Sequence, residues 1–421
     1  MATDVGVQFF SDLNGLTMTS TLVGEIIKNF DICLVNGIEL PSITDSSINE
    51  QGDILLTFSK AHSSLLLQIV EISGFAPEDL NGKYRIKGVP RTTQLVLKAT
   101  HVGRTIDSHG SAKLAPLGYE IVYQDTNKRA YRAKNPSSIH PFIRVDETMT
   151  DGTNTYNASY AKYAMVGLIE NMTHIDDYED PTKLQLPHDP NNLKKNWSIT
   201  GGTGTAVIRG WSRWYYARSV APYSNTADSN GSGSGNKKFT IVGDQDAFYF
   251  HCQHQNETFK TLYGCGTYDS AMPADLIPNW FLMTTLSYQT AANSLGVASI
   301  EGGTPLAYNE SFARFFIPTI NITNRYVPHI SAKPIIPDLM TGLSNIYSGS
   351  VVAALSIPFF DTGLKLRGTL KHIHYSGNNK NGTNQATPIL SDSSMYMLDA
   401  VMGYNNGVYY GAVYHYLGEI E

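Results

Sequence analysis

Apolar positions near the amino end of the chain recur with a helical period. In TMTSTLVGEIIKNFDICL, Leu22, Ile26, Phe30 and Cys33 or Leu34 stand three and four residues apart, which stacks them on one face of an α-helix. Thr19 or Ser20 is placed to cap it, and VNGIELP ends it in a turn. From Asp53 the period becomes two. DILLTF, SLLLQIVEIS, KYRIKGV, TQLVLKAT and SAKLAPLGYEIVY alternate apolar and polar residues between turn-forming clusters such as FAPEDLNGK and GRTIDSHG. Beyond Asn135, short apolar or alternating runs continue with long polar connections between them, among them TAVIRGWSRWYYARSV, KFTIVGDQDAFYFHCQH, KLRGTLKHIHYS and GVYYGAVYHYLGEI. The pattern predicts a mainly β chain in three parts. Residues 1–50 form an N-terminal arm and helix, 51–118 a small antiparallel β-barrel or sandwich module, and 119–421 a larger antiparallel β domain with long loops.

Composition sharpens this. Charged residues are 16% of the 421, well below the roughly one quarter usual for globular proteins, and Gly, Asn, Ser, Thr and 25 Tyr take their place. Such a surface suits β proteins, and also proteins covered by neighbours in an assembly, where charge is depleted and Tyr and Trp are enriched. A net charge of −6 argues against a general nucleic-acid binder, which needs a concentrated basic face. Three cysteines are no disulfide framework, so folding in a reducing cytoplasm is expected. MATDVGVQFF lacks the basic-then-apolar course of a secretion signal, and no apolar run is long enough to span a membrane.

The motifs that announce enzymes are missing from the sequence. It has no Gly-X-Ser-X-Gly elbow, His-Glu-X-X-His pair, Walker phosphate loop or dinucleotide fingerprint, so neither catalysis nor a cofactor is expected. Cys252 and His254 with Cys265 could begin a zinc site but lack a fourth ligand, and His372 and His374 share one strand face with no carboxylate close in sequence. Half-buried thiols and surface imidazoles are the plainer expectation for both. GWSRWYYAR concentrates Trp211, Arg213, Trp214 and Tyr215. Its alternation puts Trp214 and Tyr216 on one face and Tyr215 on the other. Aromatic rings interleaved with guanidinium groups fit a core strand, a protein interface or a glycan platform. Lys128, Arg129 and Arg132 in TNKRAYR are too few, on too acidic a chain, for nucleic acid. They are read as partners of nearby carboxylates or of a neighbouring subunit, at the junction of two domains.

Taken in order, these segments resemble a family of tailed-bacteriophage and prophage virion structural proteins. The likeness rests on the Leu34–Gly37 turn after the helix, then His62, IVEISG and LNGKYRI in the small module. It continues through APLGYEIVYQDTNKRAYRA, where Tyr119 replaces the family's Trp, and through FIRVDET, YAKYAMVGLIENM, FTIVGDQDAFYF and KLRGTLKHIH. The chain departs from the family in the polar crossing near Asp176–Asn196 and the Gly/Ser loop near Gly231, where contacts would be adapted to a particular phage. The resemblance implies a non-enzymatic subunit of a tail or baseplate ring or collar. It would assemble with copies of itself and with other tail proteins, reside in the virion and fold in the bacterial cytoplasm. The alternative is an adhesion protein that recognises a host surface glycan or protein through aromatic and loop residues. A wall-degrading enzyme without a recognisable motif is the third reading.

Overall fold

The computed structural model describes residues 3–221, 224–229, 231, 233–253, 260–272, 278–289, 297–307, 313–319, 327–335, 352, 354–376, 385–404 and 408–421. Among them the chain is mainly β, with one α-helix near the amino end and antiparallel sheets of thirteen, eight, seven and two strands.

The seven-stranded sheet holds the small module and places its strands in the order Ile38–Glu39, Ser111–Leu114, Ile69–Ser73, Gly82–Arg91, Gln94–Lys98, Ile54–Phe58, Ile43–Ile48. Alternation is read out directly in Ile54–Phe58, where Ile54, Leu56 and Phe58 are buried and Leu55 and Thr57 are half-buried. The sheet stays open, so the barrel alternative does not hold. Its two edge strands adjoin in sequence without pairing. After Glu39 the Leu40 N–H is already given to the Ala112 carbonyl (2.9 Å), and Pro41 has no N–H to offer.

In the eight-stranded sheet, Ser212–Ala217, Lys162–Ile169 and Phe142–Asp146 lie side by side and are buried on both faces. The thirteen-stranded sheet begins with Gln8–Ser11 paired to Phe239–Gly243, continues through Ala247–Cys252 and Thr261–Thr267, and ends with Leu366–Tyr375, Val408–Glu419, Ser394–Tyr404 and Thr387–Ser391. It bends back on itself. Lys260 Nζ therefore reaches the Asp399 carboxylate (2.9 Å), and His251 Nε2 meets His415 Nε2 at 2.8 Å, all of them fully buried.

The helix is shorter than its period predicts, running over Glu25–Phe30 and then widening into a π turn, Asp31–Asn36. Leu22 precedes it and is 56% exposed. Thr19 and Ser20 do not cap it, because that stretch pairs instead with the chain near Asn236: Ser20 donates to Gly235 and Lys237 to Met18. Gly24, at φ +89°, turns the backbone into the first helical residue, a conformation that other residues adopt at a cost. The orphan N–H groups at this end are met by the residue that follows Phe142–Asp146 of the eight-stranded, central sheet. Glu147 accepts from Gly24 (3.1 Å) and Ile27 (2.9 Å).

Glu147 is fully buried, and burial pushes its carboxyl up to about 7, against those backbone bonds and the Arg209 charge. Folded, it therefore holds a proton that the unfolded chain releases above pH 4.5. Its contribution is fully present below that pH and is lost as pH rises through 7. We expect unfolding free energies measured against those of Glu147→Gln to fall by about 1–3 kcal/mol between pH 5 and pH 8. A pH-independent difference between the two proteins would contradict the assignment. Buried histidines contribute with the opposite sign but cancel in the comparison.

Phe30 is the hub of the core. Its ring meets Phe248 (5.4 Å), Phe250 (5.6 Å), Trp214 (6.0 Å) and Tyr131 (6.2 Å), all edge-on. The same apolar cluster takes in Ile54, Val70 and Leu97 from the small sheet, Val145 and Val166 from the central one, and Ile241 and Tyr263 from the large one. Polar ties run between the same parts. Gln8 brackets the backbone of Ile69 and the Ala115 carbonyl, and the Arg85 guanidinium donates to the carbonyls of Asp4, Val7, Leu67 and Leu417. The turn after the helix is locked to the end of the small module, since Leu117 donates to Cys33 (3.0 Å) and Gly118 to Leu34 (3.2 Å). Gly37 is required here: a Cβ would stand 2.2 Å from the Leu114 carbonyl oxygen.

Candidate functional site

The aromatic and cationic strand does not form a surface. Trp214 and Tyr216 enter the core shared by the sheets, and Tyr215 enters a second core on the opposite face, so the alternation is as expected but both faces are covered. Trp214 stacks on Tyr263 (5.5 Å, 19°) and on Phe250 (6.0 Å, 26°), while Tyr215 packs edge-on against Tyr163 (5.0 Å). Arg213 and Arg218 converge on Asp228, all three fully buried, and the Tyr215 hydroxyl joins the same carboxylate at 3.1 Å. Trp214, Tyr215 and Arg213 are therefore structural elements and not interface anchors. They are consumed because strands on either side, and the Asp228 segment, supply their partners within the chain.

The cations of TNKRAYR also find partners inside the chain. Lys128 pairs with Asp176 (3.0 Å) and Arg129 with Asp31 of the helix (3.1 Å), while Arg132 stands over the Phe142 ring (4.7 Å). Tyr131 reinforces the link, its hydroxyl donating to Asp31 at 2.7 Å.

Neither metal candidate assembles among the described residues. Cys252 and Cys265 lie buried in the apolar core, Cys252 Sγ against Met18 Sδ (3.6 Å), and burial drives the Cys265 thiol well above its ordinary value; His254 lies outside the described residues. His372 has φ +59° and sits in an irregular stretch of the Leu366–Tyr375 strand, so the simple alternation with His374 is broken. Its Nε2 stands 3.1 Å from Asp244, whereas the His374 ring packs edge-on against Tyr416.

Of the residues singled out in GWSRWYYAR, Trp211 lines a cleft. It stands at the end of the eight-stranded sheet and lines this cleft of about 420 Å³ together with His188, Asp189, Lys195, Tyr288, Glu301 and His329. Pro328, Ile330, Ser331 and Thr362 complete the lining. Trp211 is only 4% exposed, with its ring against Tyr288 (5.8 Å) and His329 (5.2 Å) and the Lys195 ammonium over its face (4.1 Å).

The charges in this cleft are matched. Lys195 pairs with Asp189 (2.9 Å). Burial works against the Asp189 carboxylate, but Lys195 and the Asn191 and Asn192 N–H groups outweigh it and hold its pKa low. Glu301 accepts from the Tyr288 hydroxyl (3.3 Å) and faces Arg314 at 3.8 Å. Burial pushes His329 down to about 4 and lowers His188, while burial and the neighbouring Glu301 raise Tyr288, so all three rings are uncharged at neutral pH. His329 Nδ1 lies 3.1 Å from both the backbone nitrogen and the carbonyl oxygen of His188.

Sequence reading found one wall of this cleft and missed the rest. Its residues come from six separated stretches, and only HDPNNLKK carried a signal, as part of the polar crossing where the chain departs from its family resemblance. No helix among the described residues is long and apolar enough to cross a membrane. No protein-family model and no curated protein matches the chain. Among solved structures the chain is compared with the phage phi92 endosialidase at 8% identity and a TM-score of 0.14, over 91% of this chain and 52% of that one. That superposition is too loose to equate the two folds, and the chain spans about half the length of that protein.

Proposed function

We propose that this chain is a non-enzymatic structural subunit of a tailed-phage particle, a component of a tail or baseplate ring or collar that assembles with copies of itself and with neighbouring tail proteins. One observation carries the reading. Three of the stretches that bear the family resemblance, the turn after the helix, APLG and TNKRAYR, meet at a single place in the fold and serve its architecture. Cys33 and Leu34 accept from Leu117 and Gly118, and Arg129 and Tyr131 of the TNKRAYR stretch hold Asp31 at the start of the π turn. Sequence spent on fixing the mutual placement of three sheets is what a rigid building block requires. The low charge and high Tyr content of the chain suit a surface that neighbours cover.

The test is made on particles and on the isolated protein. Mass spectrometry of purified virions is expected to recover the chain in multiple copies. Light scattering on the purified protein is expected to give a closed oligomer, burying more than the roughly 1,600 Å² of an ordinary pairwise complex. Absence from virions, or a strictly monomeric protein at the concentrations of assembly, would sink the proposal.

A further inference from the structure

We infer that the cleft beside Trp211 is a binding site for an uncharged saccharide, holding one or two sugar rings. The inference stands on the chemistry of the lining and is independent of whether the chain belongs to a particle. About 420 Å³ falls within the range of sites for small organic ligands. The formal charges that line it occur in pairs, Lys195 with Asp189 and Glu301 with the nearby Arg314. A phosphate or carboxylate ligand would find one ammonium, already engaged by Asp189. A cationic ligand would have to compete with Lys195 for Asp189 and with Arg314 for Glu301.

What the lining does offer is alternating donors and acceptors beside a ring. Asp189, Glu301, Lys195, Ser331 and Thr362, which carry such groups, share the lining with the half-buried Tyr288. Sugar hydroxyls donate and accept at once, and the C–H face of a pyranose packs against an aromatic ring, so this lining matches a saccharide better than a charged or wholly apolar ligand. A second observation points to an occupant. His188 is 3% exposed, and neither of its ring nitrogens has a hydrogen-bond partner among the described residues. A buried imidazole without a partner is disfavoured, and a turn of its ring toward the cleft lets a ligand hydroxyl remove the deficit.

The experiment exposes the full-length protein to an array of immobilised neutral, sialylated and phosphorylated glycans, and then titrates the best neutral oligosaccharide in solution. Retention of neutral glycans is expected, with affinity weakened at least tenfold by Glu301→Gln and by His188→Ala. Lys60→Ala, in the exposed bend after Ile54–Phe58, should leave it unchanged, and all three variants should keep the native circular dichroism spectrum. Glu301→Gln keeps shape and is partly exposed, so it serves as the test if His188→Ala fails to fold. Retention of charged glycans alone, or of none, overturns the proposal. So does neutral-glycan binding that Glu301→Gln leaves intact.

Discussion

Replacing Asp228 by Ala is expected to lower the unfolding free energy by about 3–5 kcal/mol, the cost of breaking a buried ion network by removing one partner. The carboxylate is fully buried between Arg213 and Arg218, and both guanidinium groups are fully buried with it. Without it, two cations remain in a space that water does not reach, and the Tyr215 hydroxyl loses its acceptor. Arg218 keeps its bonds to the Ala221, Ser224 and Thr226 carbonyls, which holds the loss within this range. Asp228→Asn should fall between wild type and Asp228→Ala, since it retains acceptor geometry without the charge. Urea midpoints followed by tryptophan fluorescence measure the series. A loss below about 1 kcal/mol for Asp228→Ala would show that the guanidinium groups are solvated or otherwise balanced.

Trp214→Ala should be as severe, at about 3–5 kcal/mol, with Trp214→Phe milder because a ring still fills part of the space. Trp214 is fully buried and touches Phe30 of the helix, Tyr263 and Phe250 of the large sheet and, edge-on, Phe248. Removing the indole opens a cavity where helix, central sheet and large sheet meet, and the strand that carries it is hydrogen-bonded on both sides and cannot move in to fill it. A Trp214→Ala protein that retains wild-type stability would place the residue at a surface, as the interface reading of GWSRWYYAR had it.

That stretch shows where sequence stops being legible. Trp, Tyr and Arg in alternation describe an interface and a doubly covered strand equally well. The difference lies in partners such as Asp228, Tyr263 and Phe250, which no local pattern brings near. The small module was readable because one face of its strands is less covered, so burial alternates as in Ile54–Phe58. In Lys162–Ile169, buried throughout, the period carries no information about faces. The helix was overextended for a related reason. Leu22 keeps the helical spacing but precedes Gly24, and pairing near Asn236 holds the chain extended there. The cleft was invisible apart from Trp211 and the HDPNNLKK crossing. It is assembled from residues scattered between His188 and Thr362, with no spacing that a motif could capture.

The Arg85 guanidinium bears on how the molecule is made. It binds the carbonyls of Asp4 and Val7, which leave the ribosome before it, and that of Leu417, which emerges more than three hundred residues after it. The small sheet has all of its strands early in synthesis, yet one N–H of its buried Arg85 guanidinium lacks its acceptor until Val408–Glu419 arrives. Gln8–Ser11 waits in the same way for Phe239–Gly243. Ribosome-bound chains halted before Leu417 should therefore carry a formed but protease-sensitive small module, and completion of the chain should protect it in a single late step.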